Sequence, residues 1–127
     1  MYVFENPNPA ANRTGDCTLR ALCVATGQDW DTAYWELCVL GSQMKAMPDD
    51  KSVYKAYLMR HGFRAQSVPD TCPDCYTVRD FCRDHPEGTY ILATGNHVVA
   101  CIRGSYYDSF DSGDEAVVYV WSKEKED

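Results

Sequence analysis

The stretch TYILATGNHVVACIRGSYYDSF, Thr89 to Phe110, holds three short runs of β-branched and aromatic residues separated by Gly95-Asn96 and Arg103-Gly104. Runs of this composition with turn residues between them read as strands, so the second half of the chain predicts an antiparallel β-sheet. If Arg103-Gly104 is a two-residue hairpin turn, Ile102 faces Ser105, Val99 faces Asp108 and His97 faces Phe110. Facing residues project to the same side. Asp108 then becomes a diagonal cross-strand neighbour of His97, within side-chain reach. A bulge or a one-residue slip would put Asp111 in its place. A later run, AVVYVW from Ala116 to Trp121, extends the sheet.

Before Gly88 the period is helical. In TGDCTLRALCVATG, Thr14 to Gly27, Leu19, Leu22, Cys23 and Thr26 recur at helical spacing and Gly27 suits a C-cap, which places Cys17 in the first turn. A second helix is expected in DWDTAYWELCVLG, capped by Asp29 or Asp31, with Tyr34, Leu37 and Cys38 as its stripe and Gly41 as its stop. A third, SVYKAYLMRHG, has Ser52 at its N-cap, Val53, Tyr57 and Leu58 on one side, and Gly62 as terminator. A short strand follows at 63–68. In TVRDFCRDHP, Thr77 and Asp80 have the spacing of a capping box, Val78, Phe81 and Cys82 are the apolar face, and Pro86 halts the helix. Helices followed by strands describe an α+β domain, and no repeat or linker divides residues 1–127.

The totals narrow the chemistry. A net charge of -7 argues against a nucleic-acid partner, which needs clustered Lys and Arg. No segment is long and apolar enough to span a membrane, and the opening MYVFENPNPAANR lacks the pattern of a secretory signal, so the expected location is cytoplasmic. Most of the seven cysteines, which lack framework spacing, are then expected to be free thiols. No phosphate-binding glycine loop is present, so no nucleotide cofactor is expected.

A cysteine at a helix start has a use that the packing cysteines lack. The free amides there favour the thiolate, and a neighbouring imidazolium would favour it further. Of three histidines, His61 and His85 have helix-end explanations, whereas His97 follows the turn-like TGN and begins an apolar strand. The expected roles are a nucleophilic Cys17, His97 as its base and later its acid, and Asp108 fixing the ring. The Cys17 backbone amide and the Asn12 side chain are the candidate oxyanion donors, with a surface-turn role for Asn12 equally open.

These residues resemble the papain-like cysteine peptidase superfamily, whose members place a nucleophilic cysteine at the start of their first long helix and a later His and Asn or Asp on adjoining strands. GDC is similar to the nucleophile turn, NHVVACI to the histidine strand, and YDSF to the Asn-Ser-Trp segment, with Asp108 at the orienting position and Phe110 at the aromatic one. The layout also resembles small papain-fold proteins of bacteria and their phages. The family's upstream Gln has no counterpart, and Thr18 stands where an aromatic is usual. The resemblance implies N-terminal helices packed on a C-terminal antiparallel sheet, and cleavage of an amide bond in a peptide or peptide-like substrate without a cofactor. A competing feature is CPDC, Cys72 to Cys75, followed by CRDH, Cys82 to His85, which has two ligand pairs for tetrahedral zinc. Only six residues separate the pairs, and ordinary loop and core cysteines are the simpler reading. The alternative function is therefore an inactive or zinc-stabilised papain-like binding module.

Overall fold

A computed structural model describes residues 1–12, 14–66, 68 and 75–123. In chain order the elements are β1 (Tyr2–Phe4), α1 (Cys17–Thr26), α2 (Trp30–Met44), α3 (Lys51–Arg60), β2 (Phe63–Gln66), α4 (Val78–Asp84), β3 (Thr89–Ala93), β4 (Val98–Ile102), β5 (Ser105–Asp108) and β6 (Tyr119–Lys123). The architecture is α+β, with one six-stranded sheet in the order β1-β5-β4-β3-β6-β2. None of the described helices is long and apolar enough to cross a membrane.

The central hairpin has the expected register. Ile102 pairs with Ser105, Cys101 with Tyr106 and Ala100 with Tyr107. Arg103 and Gly104 have φ of 51° and 81°, the two left-handed residues that a type I′ turn requires. The expectation of a wholly antiparallel, C-terminal sheet needs correction: β1 joins it from the N-terminus and runs parallel to β5, with Phe4 opposite Asp108. Three residues carry too little periodicity to announce a strand, and what fixes β1 is the free edge of β5, to which the Glu5 N–H donates at the Asp108 carbonyl over 2.9 Å.

Successive strand residues face opposite layers. Ile91, Ala100 and Trp121 pack against Leu22, Leu37, Tyr57 and Leu58 of α1–α3. Leu92, Val99, Cys101 and Val120 pack instead on Val78, Phe81 and Cys82 of α4. Both faces are covered, which is why the β4 sequence reads as an uninterrupted apolar run instead of alternating with polar residues.

Three helix details differ from expectation. Helix α3 is capped by Asp50, which accepts from the Ser52 N–H, so Ser52 lies inside the helix. On α2 the buried residues are Ala33, Leu37, Leu40 and Gly41, while Tyr34 is 39% exposed and stacks on Trp30. Gly41 does not end α2, which continues to Met44 and stops at Lys45 in the left-handed region. The glycine serves a close approach, since a Cβ there would lie 2.7 Å from the Ala46 carbonyl oxygen. By contrast, the Thr77–Asp80 capping box of α4 is formed as expected, and Gly27 ends α1 with φ of 79°. Alanine for glycine inside a helix ordinarily stabilises by about 0.5–1 kcal/mol. Gly41→Ala is expected to do the reverse and cost about 1–3 kcal/mol by overpacking against backbone, measured by urea denaturation.

Candidate active site

Asp16 occupies the N-cap position of α1 but its side chain makes no capping bond to the helix amides. Its carboxylate is engaged elsewhere: Oδ2 accepts from Asn8 Nδ2 and Trp30 Nε1, each at 3.0 Å, and Oδ1 lies 2.9 Å from Arg20 Nε. The Thr18 and Leu19 amides, which a capping side chain would take, are therefore left uncapped among the described residues, and the Cys17 amide before them has no intrahelical partner; such amides favour negative charge at the helix start.

His97 closes the turn between β3 and β4, where the Thr94 N–H donates to its carbonyl over 2.8 Å, and β4 begins one residue later. Helix α1 packs across β4, so a residue at its start and a residue just before the strand meet. The ring of His97 is buried, and its Nε2 lies 2.6 Å from Asp108 Oδ2. A carboxylate only accepts, so Nε2 carries the proton and Nδ1 is the nitrogen free to exchange one with sulfur. Phe110 packs on the ring at 4.9 Å between centroids.

The electrostatics favour separated charge. The Cys17 thiol is held below its ordinary pKa chiefly by hydrogen bonding to the His97 ring, against the opposing effect of burial; attraction to the imidazolium and the Val98 backbone amide add to the lowering. Burial alone would push His97 down, but the hydrogen bonds to Asp108 and Cys17 and the attraction of both groups raise it to about 9. A thiol held down and an imidazole held up are shifts that favour the thiolate–imidazolium pair over the neutral one.

Asp108 is itself fastened. It accepts from the Ser109 N–H and from Ser112 Oγ, both at 2.8 Å, in addition to His97. Arg20 Nη1 donates to Ser109 Oγ over 2.5 Å, which ties the cysteine helix to the end of β5. The competing carboxylate, Asp111, is occupied by the Tyr106 hydroxyl at 2.5 Å and by the Gly113 N–H at 3.0 Å. Asn12 is exposed, and its Oδ1 accepts from Asn8 Nδ2 over 2.9 Å, which leaves its NH₂ without a partner among the described residues.

Two hollows flank this centre. One of about 560 Å³ borders Asp16 and Thr18 on either side of the cysteine, and one of about 520 Å³ borders Ser109 and Phe110 beside the histidine. Asn12, Thr14 and Gly15 line both, so the turn before Cys17 is the wall between them.

The remaining candidates lie elsewhere. His61 Nε2 meets Glu36 at 2.8 Å, and His85 Nδ1 meets the Phe81 carbonyl at 2.8 Å. Cys82 is buried with its sulfur 2.7 Å from that of Cys101, and Cys75 is exposed, while Cys72 lies outside the described residues. Among the described residues no group of three or more His, Cys, Asp or Glu could hold a metal ion. Sequence reasoning missed Asn8, Arg20, Ser109 and Ser112, the groups that hold Asp16 and Asp108. The i,i+4 spacing of Asp16 and Arg20 was a usable signal for one pair; nothing local marks the others. Comparison with known proteins finds no family model that matches the chain, and no matching curated protein or solved structure.

The raised His97 pKa has a definite sign in stability. The protonated ring contributes fully below its ordinary 6.5, and that contribution is lost as pH rises through about 9. The thiolate runs oppositely, contributing above the ordinary thiol range and losing its effect as pH falls through the lowered Cys17 value. Asp108→Asn is therefore expected to lower the His97 titration seen by NMR, and the stability gap between parent and variant should shrink as pH is raised from neutrality past about 9.

Proposed function

We propose that this protein is a papain-like thiol hydrolase that cleaves an amide bond, peptide or isopeptide, through a thioester intermediate. The observation that carries the reading is the electrostatic coupling of Cys17 and His97, which lowers the thiol's pKa and raises the imidazole's, with the 2.6 Å hydrogen bond from His97 to Asp108 behind it.

The Cys17 thiolate attacks the substrate carbonyl carbon, forming a C–S bond and placing the electron pair on oxygen. The unpartnered Cys17 backbone N–H and the free NH₂ of Asn12 are the donors offered to that oxyanion. As the oxyanion collapses, the C–N bond breaks and the imidazolium gives its proton to the leaving amine. Neutral His97 then takes a proton from water, hydroxide adds to the thioester, and the thiol leaves with that proton as the acid is released. Asp108, bonded to Nε2, keeps Nδ1 directed at sulfur. None of these steps calls on a cofactor.

The peptide reading follows from shape as well as from chemistry. An extended chain laid across the wall formed by Asn12, Thr14 and Gly15 would present its carbonyl to Cys17 and its flanking groups to the two hollows.

Low iodoacetamide is expected to label Cys17 well ahead of the other thiols; uniform slow labelling would instead favour a binding scaffold without chemistry. A screen of covalent peptide probes should show labelling lost in Cys17→Ala and reduced by about 10³-fold or more in His97→Ala. Hydrolysis should follow a bell-shaped pH profile, rising through the lowered Cys17 value and falling through about 9 as His97 deprotonates.

A further inference from the structure

The hollow on the Asp16–Thr18 side has a composition that the hydrolytic chemistry does not use. Its apolar floor is made by Leu19 and Leu37, both buried, and by Trp30, whose ring stacks on Tyr34 at 5.1 Å and 15°. Its rim carries Asp31 and Asp49, both exposed. Among the described residues neither carboxylate has a cationic partner, and no Lys or Arg lines the hollow. Nearby acids are already employed: Asp16 pairs with Arg20, Asp29 caps α2 and Asp50 caps α3. The position of Asp31 in the first turn of α2 accounts for its sign but not for the aromatic and aliphatic floor beneath it.

We propose that this hollow binds a lysine or arginine side chain, laying its alkyl stem on Leu19, Leu37 and Trp30 and bringing its cationic tip to Asp31 and Asp49. Long basic side chains have an apolar stem and a charged end, and a site with an apolar floor and an acidic rim matches both at once. The stacked aromatic pair adds an attractive face for a cation. A carboxylate side chain is repelled there, and a purely apolar one leaves the rim unpaired. The hollow begins at the residues flanking Cys17, so the basic residue lies close to the bond cleaved. That last placement rests on the hydrolase reading; the binding itself does not.

The test separates the two. Full-length protein carrying Cys17→Ala is titrated with acetyl-lysine methylamide and with its norleucine counterpart, following Trp30 by fluorescence and NMR. The lysine compound is expected to bind about five- to tenfold more tightly, with the preference weakened by salt. It should vanish in the Asp31→Asn/Asp49→Asn double variant, whose exposed substitutions leave the core untouched. Equal binding of lysine and norleucine, or a lysine preference that survives the double variant, overturns the proposal. Iodoacetamide labelling of unsubstituted protein reports on the nucleophile independently. Fast Cys17 labelling without lysine preference sinks the subsite alone. Lysine preference with slow labelling sinks the hydrolase and retains a site for cationic side chains.

Discussion

Asp108 is the constraint on which the centre depends. A carboxylate buried to 7% exposure must have its lone pairs engaged, and here one oxygen takes His97 and Ser112 while the other takes the Ser109 amide. With those contacts made, the carboxylate holds the imidazole at a fixed orientation and favours its protonated form. The protonated ring in turn favours the thiolate. The charge state of the sulfur is thus tied, through the imidazole, to a buried acid whose bonds are satisfied.

The scaffold brings these groups together through two attachments. Parallel pairing of β1 to β5 secures the edge on which Asp108 lies, and the Glu5 amide bonds to the carbonyl of that same residue. On the other side, Arg20 spans from Asp16 to Ser109, so the start of α1 and the end of β5 share one ion-paired link. Asp16 gives up the local capping role that its position invites and takes Asn8, Trp30 and Arg20 instead.

Charge is distributed with the same economy. Most acids around the helix starts are matched by a cap or an arginine, and the pair unmatched among the described residues, Asp31 and Asp49, stands over an apolar hollow beside Cys17. The chain's net charge of -7 is consequently not a uniform surface property; at this hollow it has a direction and a floor.

Much of this was legible locally. The hairpin register follows from a two-residue turn, the α4 capping box from the Thr77–Asp80 spacing, and the pairing of His97 with Asp108 over Asp111 from the side on which facing strand residues project. Local rules misassigned Gly41, because its reason is a distant carbonyl and not the end of a helix, and they were silent on β1, whose three residues gain order only from a neighbour. The sequence by itself determined the α+β class, the thiol at a helix start and the side on which Asp108 approaches the histidine, since each depends on periodicity, turn geometry or spacing within one segment. Only the tertiary structure decided that Cys17 and His97 meet, that Arg20 and Asn8 hold the acids behind them, and that an acidic-rimmed hollow opens beside the sulfur. Those are contacts between segments far apart in the chain, and the energy that selects them comes from burying groups that no local pattern pairs.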